Sequence, residues 1–139
     1  MRVPLFFSFV LLLLGCSQTV RLPEAEQLQS QSYDVVYKTI DTTQLELTFF
    51  YPPDFEKGEK YPAIIFFFGG GWKGGTTKQF EPQARYFAER GLVSVLADYR
   101  VPSRHGTTPF DAVRDAKSAI RFLRKHATKL HLDSEKIIA

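Results

Sequence analysis

The sequence predicts an α/β domain in which an antiparallel hairpin leads into a mostly parallel sheet with flanking helices. Two β-rich runs, 32–40 and 44–51, come first and lie close enough to form a hairpin. Three later apolar runs alternate with two segments of helical spacing, and strands that alternate with helices usually pair in parallel. A hydrophobic content of 44% in 139 residues is typical of a globular chain of about one domain.

The first two strands are predicted from their residue types. The runs SYDVVYKTI and QLELTFFY are rich in β-branched and aromatic residues, which favour extended backbone. Asp41, Thr42 and Thr43 separate them and form the turn of the hairpin. Pro52 and Pro53 end the second strand, because proline cannot donate to a strand ladder, and a charged loop follows at 54–60.

The third strand and the loop behind it carry the strongest functional signal. The continuous apolar run 63–68, AIIFFF, predicts a strand buried on both faces, as in parallel sheets. The loop 69–77, GGGWKGGTT, contains five glycines, which allow sharp turns and a close approach of the backbone to a ligand. Bare backbone N–H groups in such a loop are suited to hold a negative group.

Two helices and two more strands complete the predicted order. A helix over 79–90 is ended by Gly91, and a buried strand over 92–97 follows it. After a loop at 101–108, Thr108 and Pro109 predict the start of a second helix that runs to about His126. Its apolar face is predicted to comprise Phe110, Val113, Ala116, Ile120 and Leu123.

The last predicted strand, 136–139, lies at the end of the sequence. Parallel sheets need helices on both faces, and no helix follows this strand. The pattern therefore predicts the front half of an α/β domain rather than a whole one.

The charge and the cysteine content limit which binding partners and which covalent cross-links are expected. The net charge of +3 is small and no block of like charge stands out, so we expect no nucleic-acid partner. The basic residues of the last third fall where the second helix should face water. The single cysteine, Cys16, excludes an internal disulfide.

The N-terminus predicts export. A short basic start precedes an apolar stretch over 3–14, which has signal-peptide length and is too short to span a bilayer. The following Leu13-Leu14-Gly15-Cys16 resembles a bacterial lipobox, which implies lipidation of Cys16 after removal of 1–15. The polar segment 16–32 would then tether the domain to the membrane on the periplasmic or cell-surface side. An ordinary signal peptide beside an unmodified cysteine is the alternative.

The glycine loop has two interpretations. Gly69, Gly71 and Gly74 satisfy G-x-G-x-x-G, and Asp98 ends the next strand near where a ribose-binding acid belongs, so a dinucleotide site is one of them. Against it, a bulky Trp72 lies inside the turn, and four polar residues separate the loop from the helix. Export also takes the domain away from the cytosolic nicotinamide pool.

The second interpretation is an oxyanion loop. FFFGGGW followed by ADYR resembles the HGGG-type α/β-hydrolases, the esterase and lipase group that includes acetyl-xylan and feruloyl esterase-like enzymes. The resemblance extends over about residues 33–139 in order and spacing. It implies the N-terminal part of an α/β-hydrolase fold, a small ester as substrate, with acylated polysaccharides among the candidates, and no metal or cofactor.

The resemblance also assigns residues. It implies that Gly70 and Gly71 are the oxyanion donors, while Gly69 and Trp72 shape the loop and are candidates for the substrate pocket. Phe68 stands where the family usually has histidine, which leaves backbone donors unaffected. Three further residues match the family pattern: Asp98, Arg100 and Asp115. We expect them mainly to have structural roles.

The nucleophile is missing from the sequence. In the family a serine in G-x-S-x-G is followed by an acid and then a histidine. No serine here has that setting, and His105, His126 and His131 all precede the place where the motif would stand. The sequence therefore predicts the N-terminal part of a serine carboxylesterase that is inactive alone. A dinucleotide-binding domain and a non-catalytic truncated remnant are the alternatives.

Overall fold

The structure is a computed structural model that describes residues 32–139. The predicted signal peptide, the lipidation site Cys16 and nearly all of the predicted tether lie outside the described residues. The helices and strands are β1 (Tyr33–Ile40), β2 (Thr43–Phe50), β3 (Tyr61–Phe67), α1 (Glu81–Ala88), β4 (Val93–Ala97), α2 (Pro102–His105), α3 (Pro109–His126) and β5 (Leu132–Ile138). Within the described range, no helix is long and apolar enough to cross a membrane.

The five strands form one mixed sheet in the order β1-β2-β4-β3-β5. β1 and β2 make the predicted antiparallel hairpin, and β2 also pairs antiparallel with β4. β3 pairs in parallel with β4 on one side and with β5 on the other. The predicted fold class, an antiparallel hairpin leading into a parallel sheet, is therefore confirmed.

Helices cover both faces of the sheet. On one face α3 packs against the main core, where Phe122 and Leu123 join buried residues of the strands such as Phe49 and Val95. On the other face α1 contributes two alanines to a smaller cluster with Phe50 and Leu96 of the strands. Every residue of β4 is buried, as expected for a strand at the centre of a two-sided sheet.

The structure corrects three of the predicted boundaries and the predicted burial of β3. The helix expected at 79–90 is instead a 3₁₀ turn, Thr77–Phe80, followed by the shorter α1. The loop expected at 101–108 contains α2, which Pro102 starts and Gly106 ends in a left-handed conformation. β5 begins at Leu132, four residues earlier than predicted. In β3, Ala63 and Ile65 are buried but Ile64 and Phe66 are only half-buried, so the strand is not fully covered on both faces.

The predicted apolar face of α3 was partly wrong. Phe110 is 77% exposed and Val113 is 39% exposed, whereas the buried residues are Ala112, Asp115, Ala119, Phe122 and Leu123. The buried stripe is displaced because a charged residue, Asp115, occupies its centre. Its ion pairs to neighbouring cations make that position tolerable in the interior.

The start of α3 has the predicted cap. The backbone N–H of Thr108 donates to Asp111 Oδ2 at 3.0 Å, and its hydroxyl donates to the same oxygen at 2.8 Å. Pro109 occupies the first turn, where its missing N–H costs nothing. This cap fixes the end of α3 that lies next to the loops of the candidate site.

Candidate active site

The glycine loop follows β3 at the carboxyl end of the parallel strands, and only glycines allow its backbone to fold back on itself. A Cβ at Gly70 would lie 2.0 Å from the carbonyl oxygen of Gly74. A Cβ at Gly75 would lie 2.5 Å from the carbonyl oxygen of Gly69. Both distances are impossible for real side chains, so the two ends of the loop meet backbone to backbone.

The crest of the loop has a left-handed conformation. Gly71 has φ +61° and Trp72 has φ +65°, and the N–H of Lys73 closes the turn on the carbonyl oxygen of Gly70 at 3.1 Å. A bulky residue with positive φ is uncommon and costs roughly 1–3 kcal/mol. The fold therefore holds Trp72 in a strained conformation at the crest.

The three consecutive glycines differ in how their amides are used. The N–H of Gly69 donates to the side-chain carbonyl of Gln79 at 2.6 Å. The N–H groups of Gly70 and Gly71 donate to no other group in the described part of the chain. Two adjacent backbone donors are thus left for a ligand or solvent, and they are the two that the sequence predicts as oxyanion donors. That role stays a prediction.

A cavity of about 460 Å³ lies against the loop. Its lining is almost entirely apolar, and Lys117 is its one charged residue. All four residues of the predicted site line the cavity, and residues of α3 form one wall. The lining residues are Phe67, Phe68, Gly69, Gly70, Gly71, Trp72, Tyr99 and, on α3, Ala112, Val113, Ala116 and Lys117. Trp72 lines this cavity and is 52% exposed, so part of its surface also faces solvent.

The segment after β4 supports the loop from behind. The ring of Tyr99 stacks on Phe68 with centroids 4.1 Å apart, and its hydroxyl donates to the Phe68 carbonyl. Burial acts to raise the pKa of Tyr99, so this hydroxyl stays protonated as a donor. The N–H of Ser103 in α2 donates to the carbonyl of Lys73 at 3.0 Å. Phe68, at the position usually taken by histidine, therefore packs as a buried aromatic residue.

The acidic and basic residues of the A-D-Y-R segment form ion pairs with their surroundings. Arg104 binds Asp98 at 2.5 Å and lies over the Phe68 ring, with its guanidinium carbon 5.6 Å from the ring centroid. Arg100 binds the buried Asp115 through two hydrogen bonds from its side chain, at 2.8 and 3.1 Å. The expected structural roles of these residues agree with their contacts.

These contacts count against a dinucleotide site. The carboxylate of Asp98, which would have to bind a ribose, is already held by Arg104. α1 begins at Glu81, beyond the glycines, with an acidic residue in its first turn and a proline next to it. A helix start of this kind does not present a positive end to a phosphate at the loop.

Among the serines after residue 32 in the described part of the chain, none forms a hydrogen bond to a histidine. Ser94 is buried in β4, Ser118 donates to its own helix, and neither Ser103 nor Ser134 bonds to a histidine. His105 accepts the N–H of Val101 through Nδ1 at 3.2 Å. Of residues 32–139, no group of three or more His, Cys, Asp or Glu could hold a metal ion.

Sequence reasoning missed three contributors to the site. Gln79 binds the first amide of the loop, Tyr99 binds the preceding carbonyl, and Val113 lines the cavity. Val113 could have been noticed in the sequence, because an apolar residue of α3 that does not pack in the core must line another surface, such as a cavity. No pattern in the sequence identified Gln79, since a polar residue in a loop has many uses.

The comparisons with known proteins agree with the fold. The BD-FAE family model matches residues 48–139. The chain is similar to a thermophilic esterase of Thermogutta terrifontis, Est2, with propionate bound, at 48% identity and a TM-score of 0.75, covering 78% of this chain and 40% of that chain. The same esterase phosphorylated by paraoxon is 46% identical at a TM-score of 0.75, covering 84% of this chain and 45% of that chain. No curated protein is significantly similar in sequence.

The family and the extent of the match follow from these findings. The matched segment contains the glycine loop, the cavity and the supporting A-D-Y-R segment. The chain spans about two fifths of the length of the Thermogutta esterase structures that it matches. The chain therefore belongs to the BD-FAE family and carries the N-terminal part of an α/β-hydrolase fold.

Proposed function

We propose that this chain supplies the oxyanion loop of a serine carboxylesterase that acts on small acyl esters. The observation that carries the proposal is the pair of unused backbone donors, Gly70 and Gly71, beside an apolar cavity. The Thermogutta esterase gives support, because its structures include propionate-bound and butyrate-bound forms and forms phosphorylated by organophosphates. Organophosphates modify activated nucleophiles, as a serine esterase mechanism requires.

In this mechanism a serine hydroxyl attacks the ester carbonyl while a histidine takes its proton. The carbonyl oxygen becomes an anion in the tetrahedral intermediate, and the N–H groups of Gly70 and Gly71 would stabilise it. One such donor typically contributes roughly 3–4 kcal/mol to the transition state. Collapse releases the alcohol, and water then releases the acid from the acyl-enzyme.

The 139 residues do not contain the rest of this machinery. No serine among them lies in G-x-S-x-G, and the three histidines precede the place of that motif. The chain alone is therefore expected to leave p-nitrophenyl butyrate unhydrolysed above the uncatalysed rate.

A chimera tests the loop directly. Residues 33–139 would replace the matching part of the Thermogutta esterase, whose 48% identity favours a compatible interface. We expect the chimera to hydrolyse p-nitrophenyl butyrate. Alanine keeps the backbone N–H, but its methyl group would displace the crowded backbone at Gly70 and partly cover the donors at Gly71, so Gly70→Ala and Gly71→Ala should each lower kcat by about tenfold or more. Gly106→Ala is the matched control, because Gly106 has φ +62° beside the +61° of Gly71 and both have open space around the added Cβ. An equal loss in all three variants would refute the oxyanion assignment.

The pocket proposal concerns acyl specificity. Trp72 lines an apolar cavity, so its ring is placed to limit the length of an acyl chain. In the chimera, Trp72→Ala should shift the preference among p-nitrophenyl esters from short chains toward longer ones. Esters on plant polysaccharide would bind with the acyl group in the cavity and the sugar outside it.

We also propose that the protein is an exported lipoprotein anchored to a membrane through Cys16. The support is the sequence alone, an apolar stretch followed by Leu13-Leu14-Gly15-Cys16. Labelling with radioactive palmitate in a bacterial host should mark the wild-type chain and not Cys16→Ser. If both are labelled equally, or neither is, the anchor is absent.

A further inference from the structure

The peptide unit that joins Phe68 to Gly69 is held at both of its polar ends. Its carbonyl oxygen accepts a hydrogen bond from the hydroxyl of Tyr99, and its N–H donates to Oε1 of Gln79 at 2.6 Å. We propose that Gln79 and Tyr99 are positioning residues that fix this peptide plane and, through it, the direction of the Gly70 and Gly71 amides. The inference rests on the proposed function, because it assigns a purpose to the orientation of those amides.

Two opposed bonds give a constraint that neither gives alone. In a trans peptide the carbonyl and the N–H point in opposite directions, so turning the plane breaks both bonds together. Three glycines follow, and glycine has little preference between left- and right-handed conformations. Without an external clamp, the peptide plane between Phe68 and Gly69 could rotate and carry the following amides away from a ligand.

Gln79 is exposed, but the backbone that carries it is held by its turn and by the neighbouring residue. It lies in the 3₁₀ turn Thr77–Phe80, where its N–H donates to the carbonyl of Thr76 at 3.3 Å. The next residue, Phe80, stacks on Phe66 of β3 with ring centroids 5.6 Å apart. The amide of Gln79 lies against Gly69, since a Cβ placed there would be 3.6 Å from Oε1.

Tyr99 reaches the same peptide from a separate segment. It follows β4 and is 7% exposed, and its ring stacks on Phe68, the residue after β3. Its carbonyl accepts a hydrogen bond from Arg104 at 3.2 Å, which ties the segment to α2. The clamp therefore joins the segment after the loop and the segment after β4 to one peptide plane.

The consequence for catalysis would be preorganisation. Donors that already have the correct direction need no rearrangement when charge develops on the substrate. Loss of the clamp should therefore lower kcat more than it changes KM, because ground-state contacts in the apolar cavity remain.

Amide exchange in the full chain tests the clamp without any catalysis. In detergent solution, Gln79→Ala should speed hydrogen exchange at Gly69 by about five- to tenfold, because one hydrogen bond is lost. It should also move the NMR signals of Gly70 and Gly71. Gln79→Glu keeps an acceptor and should retain both properties, and Gln83→Ala, a change at an exposed glutamine of α1, is the matched control. Unchanged exchange at Gly69 in Gln79→Ala would overturn the clamp.

The chimera tests its purpose. With kcat normalised to the sites titrated by paraoxon, Gln79→Ala and Tyr99→Phe should each lower kcat by about tenfold and leave KM within about twofold. Gln79→Glu should recover most of kcat. Faster exchange at Gly69 without any loss of kcat would overturn the positioning role. A wild-type chimera without activity would count against the proposed function, while the exchange result would still decide the clamp.

Discussion

The glycine loop and the ion cluster around Asp115 are both built from polar groups near the carboxyl ends of strands. They differ in saturation, which here means the extent to which their donors and acceptors already have hydrogen-bond partners within the protein. Both carboxylate oxygens of Asp115 are occupied, Oδ1 by Lys38 at 2.6 Å and Oδ2 by the Arg100 side chain at 2.8 Å. The Arg100 backbone N–H adds a bond at 3.2 Å. In the loop, Gly70 and Gly71 keep donors that bind no other described residue.

The difference follows from burial. Asp115 is fully buried, and an unpaired charge there would cost several kcal/mol, so the fold surrounds it with donors. Gly70 and Gly71 are exposed, so water can satisfy their amides until a ligand replaces it. In this protein, the polar groups whose hydrogen bonds are all made, such as the Asp115 carboxylate, hold the fold together. The exposed donors without a protein partner, such as the Gly70 and Gly71 amides, are free to bind a ligand.

Removing Asp115 should have the largest effect on stability. Asp115→Ala leaves Lys38 and Arg100, which are 25% and 13% exposed, without their shared partner. We expect the free energy of unfolding to fall by about 3–5 kcal/mol, the usual loss when one member of a buried ion pair is removed. Urea denaturation followed by circular dichroism would measure it. Asp54→Ala, at an exposed loop position, should change little, and a loss below about 1 kcal/mol in Asp115→Ala would contradict the role of the cluster.

Adding a side chain at Gly70, where the loop backbone folds closely on itself, should have the next largest effect on stability. Gly70→Ala places a Cβ 2.0 Å from the carbonyl oxygen of Gly74, and backbone atoms cannot move away cheaply. We expect a loss of about 1–3 kcal/mol, the typical cost of forced overpacking. Thermal denaturation would measure this loss. A variant as stable as the wild type would mean that the loop has another conformation of similar energy.

The sequence predicted the fold better than the site's surroundings. The hairpin, the alternation of strands and helices, and the Thr108 cap follow from local patterns of residue type, which act over a few positions. The buried face of α3 did not, because Asp115 can occupy it only when Lys38, 77 residues away, reaches it. A prediction from hydrophobic periodicity places every carboxylate on the exposed face of a helix. It takes no account of an ion-pair partner that is distant in sequence.

Available backbone donors in the loop could be predicted from the sequence, while their role as oxyanion donors stays a prediction. A run of glycines after a buried strand indicates available N–H donors, and Gly70 and Gly71 are among the loop residues whose amides donate to no described group. The contribution of Gln79 could not be predicted, because it depends on how a 3₁₀ turn directs one side chain. Tyr99 was visible in the A-D-Y-R segment, but only the pairing of β4 with β3 brings the residues after the two strands together, so that its hydroxyl reaches the carbonyl of Phe68.

Acid should weaken the saturated cluster before it affects the loop. Burial acts to raise the pKa of Asp115, but the hydrogen bonds from Arg100 and Lys38 outweigh it and hold the pKa below its ordinary value. A lowered folded pKa stabilises the protein above the unfolded value, about 3.9, and this stabilisation is lost as the pH falls through the folded value. The stability difference between wild type and Asp115→Asn should thus be constant from about pH 5 to 7 and shrink below about pH 4. A difference that grows in acid would contradict the sign of this shift.

The smallest expected difference is between two glycines that share a conformation but not a bonding state. Gly71 and Gly106 have φ +61° and +62°, and neither has an atom within 4 Å of an added Cβ. The N–H of Gly106 donates to Pro102 at 2.9 Å, whereas that of Gly71 donates to no described group. Alanine should therefore cost each position the same strain, about 1 kcal/mol, with denaturation midpoints that agree closely. If Gly71→Ala proved much more costly than Gly106→Ala, an added methyl group at Gly71 would be meeting other atoms, and the open space beside this amide, on which the proposed chemistry depends, would be absent.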